Sequence, residues 1–135
     1  MNGVHAIRSV LVADAALTNL VPASKIAAGV LPQGTAAPFI TLQSISSFDR
    51  NIPAPGAKRF VTERVQVSVV AKTYDQQQII MAAVKKAAAD KINPTVPGIS
   101  NATIHTDSKG PDGINDDASL YIGSQDFRVK YSETT

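Results

Sequence analysis

The most constraining stretch of the sequence runs from Arg59 to Lys72. Val61, Val65, Val67, Val69 and Ala71 fall on one side of a two-residue period, and Thr62, Arg64, Gln66 and Ser68 on the other. Only an extended strand separates side chains this way, and one apolar side means a sheet covered on one face. Glu63 breaks the pattern from the apolar side and is expected near the strand's exposed end. Composition agrees: 13 Val and 12 Ile stand against 6 Leu, and branching at Cβ suits a pleated surface better than a helical turn. The 19 Ala residues concentrate in two candidate helices.

The first helix is expected over about residues 3 to 20, with Val4, Ile7, Leu11, Leu17 and Leu20 on one face. Asp14 interrupts it, capping a second short helix after a kink. Pro22 stops the segment. Residues 25–32 read as a short strand ended by Pro32, and 38–48 as a second strand. Residues 49–58 hold Pro53, Pro55 and Gly56 and read as a loop. After the long strand, Thr73 and Gln76 have capping-box spacing at the start of a helix through Ile80, Ala83, Val84, Ala87 and Ala88, which Asn93-Pro94 ends. A modest strand at 99–106, a polar loop from Asp107 to Asp117 and a last strand at 119–131 complete the chain. The expected fold is α+β: a mainly antiparallel sheet packed against two α-helices in the order α-βββ-α-ββ. A length of 135 residues suits one domain, residues 1–135.

Chemistry finds little support. The absence of cysteine excludes disulfides, thiolate metal sites and a cysteine nucleophile. His5 and His105 are the only histidines, and neither sits in a metal or triad motif. Counted from Asp107 as a calcium loop, the ligand positions fall on Lys109 and Pro111, so that pattern fails. No glycine cluster cradles a phosphate, no serine lies in a nucleophile elbow, and no carboxylates are expected on facing strand positions. The expectation is a protein that is not an enzyme and carries no metal and no cofactor. A net charge of +2 advertises neither nucleic-acid nor membrane binding. No stretch approaches the ~20 consecutive apolar residues of a bilayer span. The N-terminus lacks a basic start and long apolar run, so synthesis and folding in a cytoplasm are expected. One local feature stands out: Arg50, Lys58, Arg59 and Arg64 gather around the 49–58 loop. They are either ordinary surface charge around a hinge or contacts for an acidic partner or a passing nucleic-acid backbone.

The order of segments resembles a known family. Ile7 to Val21, then Lys25-Ile26 and Val30-Leu31-Pro32-Gln33-Gly34, then Pro38 to Gln43, then Arg64 to Ala71 and the Thr73-Tyr74-Asp75-Gln76 helix start carry it. Together they resemble the tail-completion, or tail-terminator, proteins of long-tailed bacteriophages, of the lambda-like minor tail protein U type. The resemblance spans about residues 5 to 131, and the 49–58 and 107–117 loops depart from a typical member. It implies a structural protein of the virion tail or neck, assembled in the host cytoplasm. Such proteins form a ring, usually of six subunits, that caps the tail tube, ends its polymerisation and meets the head-tail connector. The implied partners are further copies of the chain, the tail tube protein and the connector protein. DNA passes such a ring, which would give Arg50, Lys58, Arg59 and Arg64 a place at the interface or channel. Another neck component, such as a head-completion or connector-adaptor protein, is the alternative. A small ligand- or nucleic-acid-binding module is the other, with Phe60, Tyr121 and Phe127 as its available aromatics.

If the Arg59–Lys72 alternation marks a buried face, Val67→Asp puts an unpaired charge into the core. We expect it to cost more than about 4 kcal/mol and to abolish the cooperative thermal transition.

Overall fold

A computed structural model of the chain describes residues 2–29, 38–50, 58–89, 91–92, 99–109, 113–114 and 120–134. Its elements are α1 (Asn2–Ala13), α2 (Ala15–Leu20), a single 3-10 turn (Ala23–Lys25), β1 (Ile26–Ala28), β2 (Phe39–Arg50), β3 (Lys58–Ala71), α3 (Tyr74–Ala88), β4 (Lys91–Ile92), β5 (Ile99–Lys109), β6 (Gly113–Ile114) and β7 (Tyr121–Thr134). All strands join one sheet in the order β1-β2-β3-β7-β5-β4, with β6 also pairing β7. Only β1 and β2 run parallel, so the sheet is mixed rather than purely antiparallel.

The long alternating segment is the middle of this sheet. β3 pairs β2 from Phe60 to Val70 and β7 from Lys58 to Ala71. Its inner positions Val61, Val65, Val67, Val69 and Ala71 are buried, next to Ile40 and Leu42 of β2 and Phe127, Val129 and Tyr131 of β7. Against this face lie Val4, Ile7 and Leu11 of α1, Leu17 of α2, and Ile80, Met81, Val84, Ala87 and Ala88 of α3. Each such Val, Leu or Ile contributes about 1.5–3 kcal/mol when fully buried.

The local signals act where the sequence puts them. Asp14 caps α2, its Oδ1 accepting from the Leu17 N–H at 2.9 Å. Thr73 Oγ1 accepts from the Gln76 N–H at 3.1 Å, and Gln76 Oε1 reaches back to the Lys72 N–H at 3.0 Å, one residue before the cap.

Element ends differ from the sequence expectation. β1 stops at Ala28 because Gly29 turns the chain at φ +82°; the expected end at Pro32 lies outside the described residues. β2 reaches Arg50 and β3 begins at Lys58, because these residues of the expected loop find ladder partners: Arg50 pairs Phe60 and Lys58 pairs Thr134. The rest of that loop lies outside the described residues. α3 ends at Ala88, well before Asn93-Pro94, because Ala89 is extended and β4 then pairs with β5 at Ile104 and Thr103. β5 runs to Lys109, and β6 takes Gly113 and Ile114 from the expected polar loop. β7 runs past Tyr131 to Thr134.

Glu63 is the largest departure. It is 1% exposed rather than near an exposed end. The Tyr131 hydroxyl donates to its Oε1 at 2.9 Å, and the Gly3 N–H, in the first turn of α1, donates to the same oxygen at 3.3 Å. A helix start leaves such N–H groups unbonded and carries a partial positive charge, so a carboxylate beneath it is stabilising. The approach is close enough to require glycine: a Cβ on Gly3 would lie 2.8 Å from both Cδ and Oε2 of Glu63.

Helix propensity alone says that Gly3→Ala stabilises α1 by up to about 1 kcal/mol. The contact with Glu63 reverses the sign, and we expect a loss of about 1–3 kcal/mol as the overpacked site shifts. The midpoint of urea unfolding, read at unchanged m-value, decides between the two signs.

Candidate assembly surface

The helices cover one face of the sheet, so the opposite face is built from the alternate residues of the same strands. Register places Gln43, Gln66 and Asp126 side by side on it, then Ser46, Arg64, Arg128 and His105, then Phe48, Thr62, Lys130 and Thr103. Arg64 and Arg128 are direct cross-strand neighbours, an arrangement that repels unless acids intervene. Asp126 and Asp107 intervene. Arg64 donates to Asp126 Oδ2 from Nη2 at 2.5 Å and from Nε at 2.9 Å. Its Nε lies 3.3 Å from Asp107 Oδ2, and Arg128 Nη2 lies 3.4 Å from Asp107 Oδ1. The Asp126 hydrogen bond and then its charge raise the Arg64 pKa, and Asp107 adds less; desolvation opposes them. Arg64 therefore stays cationic across all pH values at which a fold persists.

Facing carboxylates were not expected, and Asp107 beside Asp126 corrects that expectation. Asp126 and Asp107 come together because β5 is irregular between Thr106 and Lys109, which sets Asp107 beside Asp126 across the ladder. Asp126 is 6% exposed, and its Oδ1 has no hydrogen-bond partner among the described residues. Both acids are held by guanidinium groups, so they tie β3, β7 and β5 together rather than forming an acid–base pair. Among the described residues no group of three or more His, Asp or Glu is placed to hold a metal. His5 and His105 are both exposed.

The four basic residues singled out in the sequence divide into two places. Arg50, Lys58 and Arg59 sit where β2 and β3 approach the 51–57 segment, opposite Phe60, Thr134 and Glu133 respectively. Arg64 lies further in, about 13 Å along β3 from Phe60, and its guanidinium is held by the acids described above.

Two aromatic residues mark the same end. Phe48 is 72% and Phe60 55% exposed. The sequence reading missed Phe48, because the register shift between Ser44 and Ser46 inserts Ile45 and flips the facing of every later residue of β2. Of the other aromatics considered for a binding platform, Phe127 is fully buried and Tyr121 packs edge-on against Tyr74 at 6.2 Å. Two hollows among the described residues measure about 190 and about 230 Å³. The first is lined by Gln78, Met81, Ala82, Lys85 and Gln125, the second by Val4, Ala28, Gly29, Leu42, Gln43 and Ser44. Both are smaller than the usual small-molecule pocket of roughly 300–1,000 Å³. Among the described residues no helix is long and apolar enough to cross a membrane.

The edges of the sheet complete the surface. Among the described residues, β1 covers β2 on one side only at Ile40, Thr41 and Leu42. On the other, β4 covers β5 only at Thr103 and Ile104.

Comparison with solved structures places the fold beside a chain from the virion of a native gene transfer agent particle. The TM-score is 0.76 at 17% identity, covering 96% of this chain and 93% of that one. No curated protein sequence matches. The family model described as tail completion protein gp17 matches residues 5–132, nearly the whole length. The chain belongs to the tail completion protein gp17 family, a family of structural phage proteins.

Proposed function

We propose that this protein is the terminator of a phage tail: a ring of identical subunits, six in the simplest reading, that caps the tail tube and stops its polymerisation. The ring presents its other side to the head-tail connector. It acts in the neck of the virion after assembly in the host cytoplasm, each chain contributing one domain and no enzymatic step. The observation that carries this reading is family membership over residues 5–132 combined with a sheet whose two edges, among the described residues, are covered by strands of only two and three residues. A ring needs a contact in which one surface of a subunit meets a different surface of its neighbour, and two dissimilar open edges offer that. Arg50, Lys58 and Arg59, grouped at one end of the sheet, are the residues we assign to the channel or its rim, where the backbone of passing DNA needs cations without sequence readout. Arg64, already bound by Asp126 and Asp107, has the lesser part in that contact.

Electron microscopy of particles assembled without this protein tests the assignment. Overlong tails or tails detached from heads are expected, and tails of normal length joined to heads would refute it. If instead the protein binds isolated DNA-filled heads and not tail-tube ends, it is a head-side neck component.

Charge reversal at Arg50 and Arg59 together is expected to leave the circular dichroism spectrum and thermal transition intact while lowering the yield of joined particles by tenfold or more. Loss of the fold in that variant would make the cluster structural.

A further inference from the structure

One long stretch of backbone has no strand beside it. β1 follows β2 as far as Leu42, and there the Gly29 N–H donates to the Leu42 carbonyl at 2.7 Å. Gly29 adopts φ +82°, which glycine holds without the strain a Cβ would bring, and the ladder stops. From Gln43 to Arg50 that side of β2 is uncovered among the described residues, a length of about 26 Å.

The direction of the backbone groups follows from the register. Leu42 faces β1 with its carbonyl, so its neighbours Thr41 and Gln43 face β3. Gln66 stands opposite Gln43 and faces back, as do Arg64, Thr62 and Phe60 by the same alternation. Their partners Ser46, Phe48 and Arg50 therefore bond to β3. Ser47, opposite Glu63, turns its N–H and C=O to the open side. Soluble proteins blunt such an edge with Lys, Pro, a bulge or brevity. The Gln43–Arg50 segment has a bulge between Ser44 and Ser46 but no Lys or Pro, carries Ile45 and Phe48 at 45% and 72% exposure, and lines the edge with the small residues Ser44, Ser46 and Ser47.

We propose that a second copy of this chain covers the Ser46–Arg50 part of this edge by adding its own β5, from His105 to Lys109, as the next strand. Among the described residues, β4 covers the β5 edge only at Thr103 and Ile104. Joining these two edges uses each once per subunit, which lets the contact repeat around a closed ring. A β2-to-β2 contact would stop at a dimer and leave every β5 edge open. The proposal rests on the ring reading above and names the contact that closes it.

The test compares the full chain with Ser47→Pro and Ser47→Ala by light scattering over a concentration series, with negative-stain imaging. Proline at position 47 removes an N–H that β3 does not use, so the subunit should keep its circular dichroism spectrum and melting transition. Rings of wild type and Ser47→Ala are expected, with Ser47→Pro needing about tenfold or more concentration for half-assembly. Rings formed equally by Ser47→Pro would overturn the edge contact and leave the ring standing. A wild type that stays monomeric at every concentration and on tail-tube ends would overturn both. A dimer that grows no further would overturn β5 as the partner. Hydrogen exchange on the wild type gives an answer even if Ser47→Pro fails to fold. The Ser47 and Asp49 amides should slow at least about tenfold between dilute subunit and ring, and unchanged exchange would refute the contact.

Discussion

The fold depends on β3 being paired along both sides. With β2 on one flank and β7 on the other, its backbone donors and acceptors are used within the sheet, and a buried polar backbone can tolerate nothing less. The paired strand then offers a fixed row of inward residues, from Val61 to Ala71, on which α1 and α3 bury their apolar faces. Neither helix has a comparable surface elsewhere in the described residues. Helices of this length gain most of their stability from packing rather than propensity, so losing the row would release both.

Two consecutive charges on β3 show how the two faces of one strand are treated differently. Glu63 points inward, where burial of a carboxylate is costly, and the N-terminus of α1 together with Tyr131 supplies the compensating donors. Arg64 points outward, where water screens it, and its ion pairs order an exposed surface rather than stabilise a core. The inward contact fixes where α1 begins and demands glycine at position 3. The outward contacts join three strands across their ladders. Opposite charges one residue apart thus serve helix docking on one side and sheet cohesion on the other.

How much of this was legible in the sequence follows from the range of the interactions. Alternation in β3, the Asp14 and Thr73 caps and the apolar stripes of the helices are set by residues within a turn or two, and all were readable except Leu20, which is exposed rather than in the stripe. The Ser44/Ser46 register shift was not, because it depends on how β2 meets β3, and through it Phe48 came to the exposed face unannounced. The irregularity in β5 that brings Asp107 to Arg64 is of the same kind. Glu63 and Gly3 lie 60 residues apart, so nothing local signals that one needs the other. The sequence located the basic residues Arg50, Lys58 and Arg59 correctly along the chain, but only the ladder separates them from Arg64.

A helix-free face and an uncovered edge pose different physical problems. The face is resolved within the subunit: Thr62, Gln66, Arg128 and Lys130 keep it polar, and Arg64 pairs with the buried Asp126. An edge poses a different demand, because its unpaired N–H and C=O groups template another strand unless the edge is blunted or paired. Evolution can shorten an edge, charge it, kink it away or pair it. In β2 the bulge kinks the strand, yet Ile45 and Phe48 remain exposed beyond the last β1 pairing. Of the four remedies, pairing is the one that makes use of exposed apolar side chains rather than having to hide them. In the proposed contact the demand therefore falls on backbone geometry at Gly29 and Ser47 more than on side-chain chemistry.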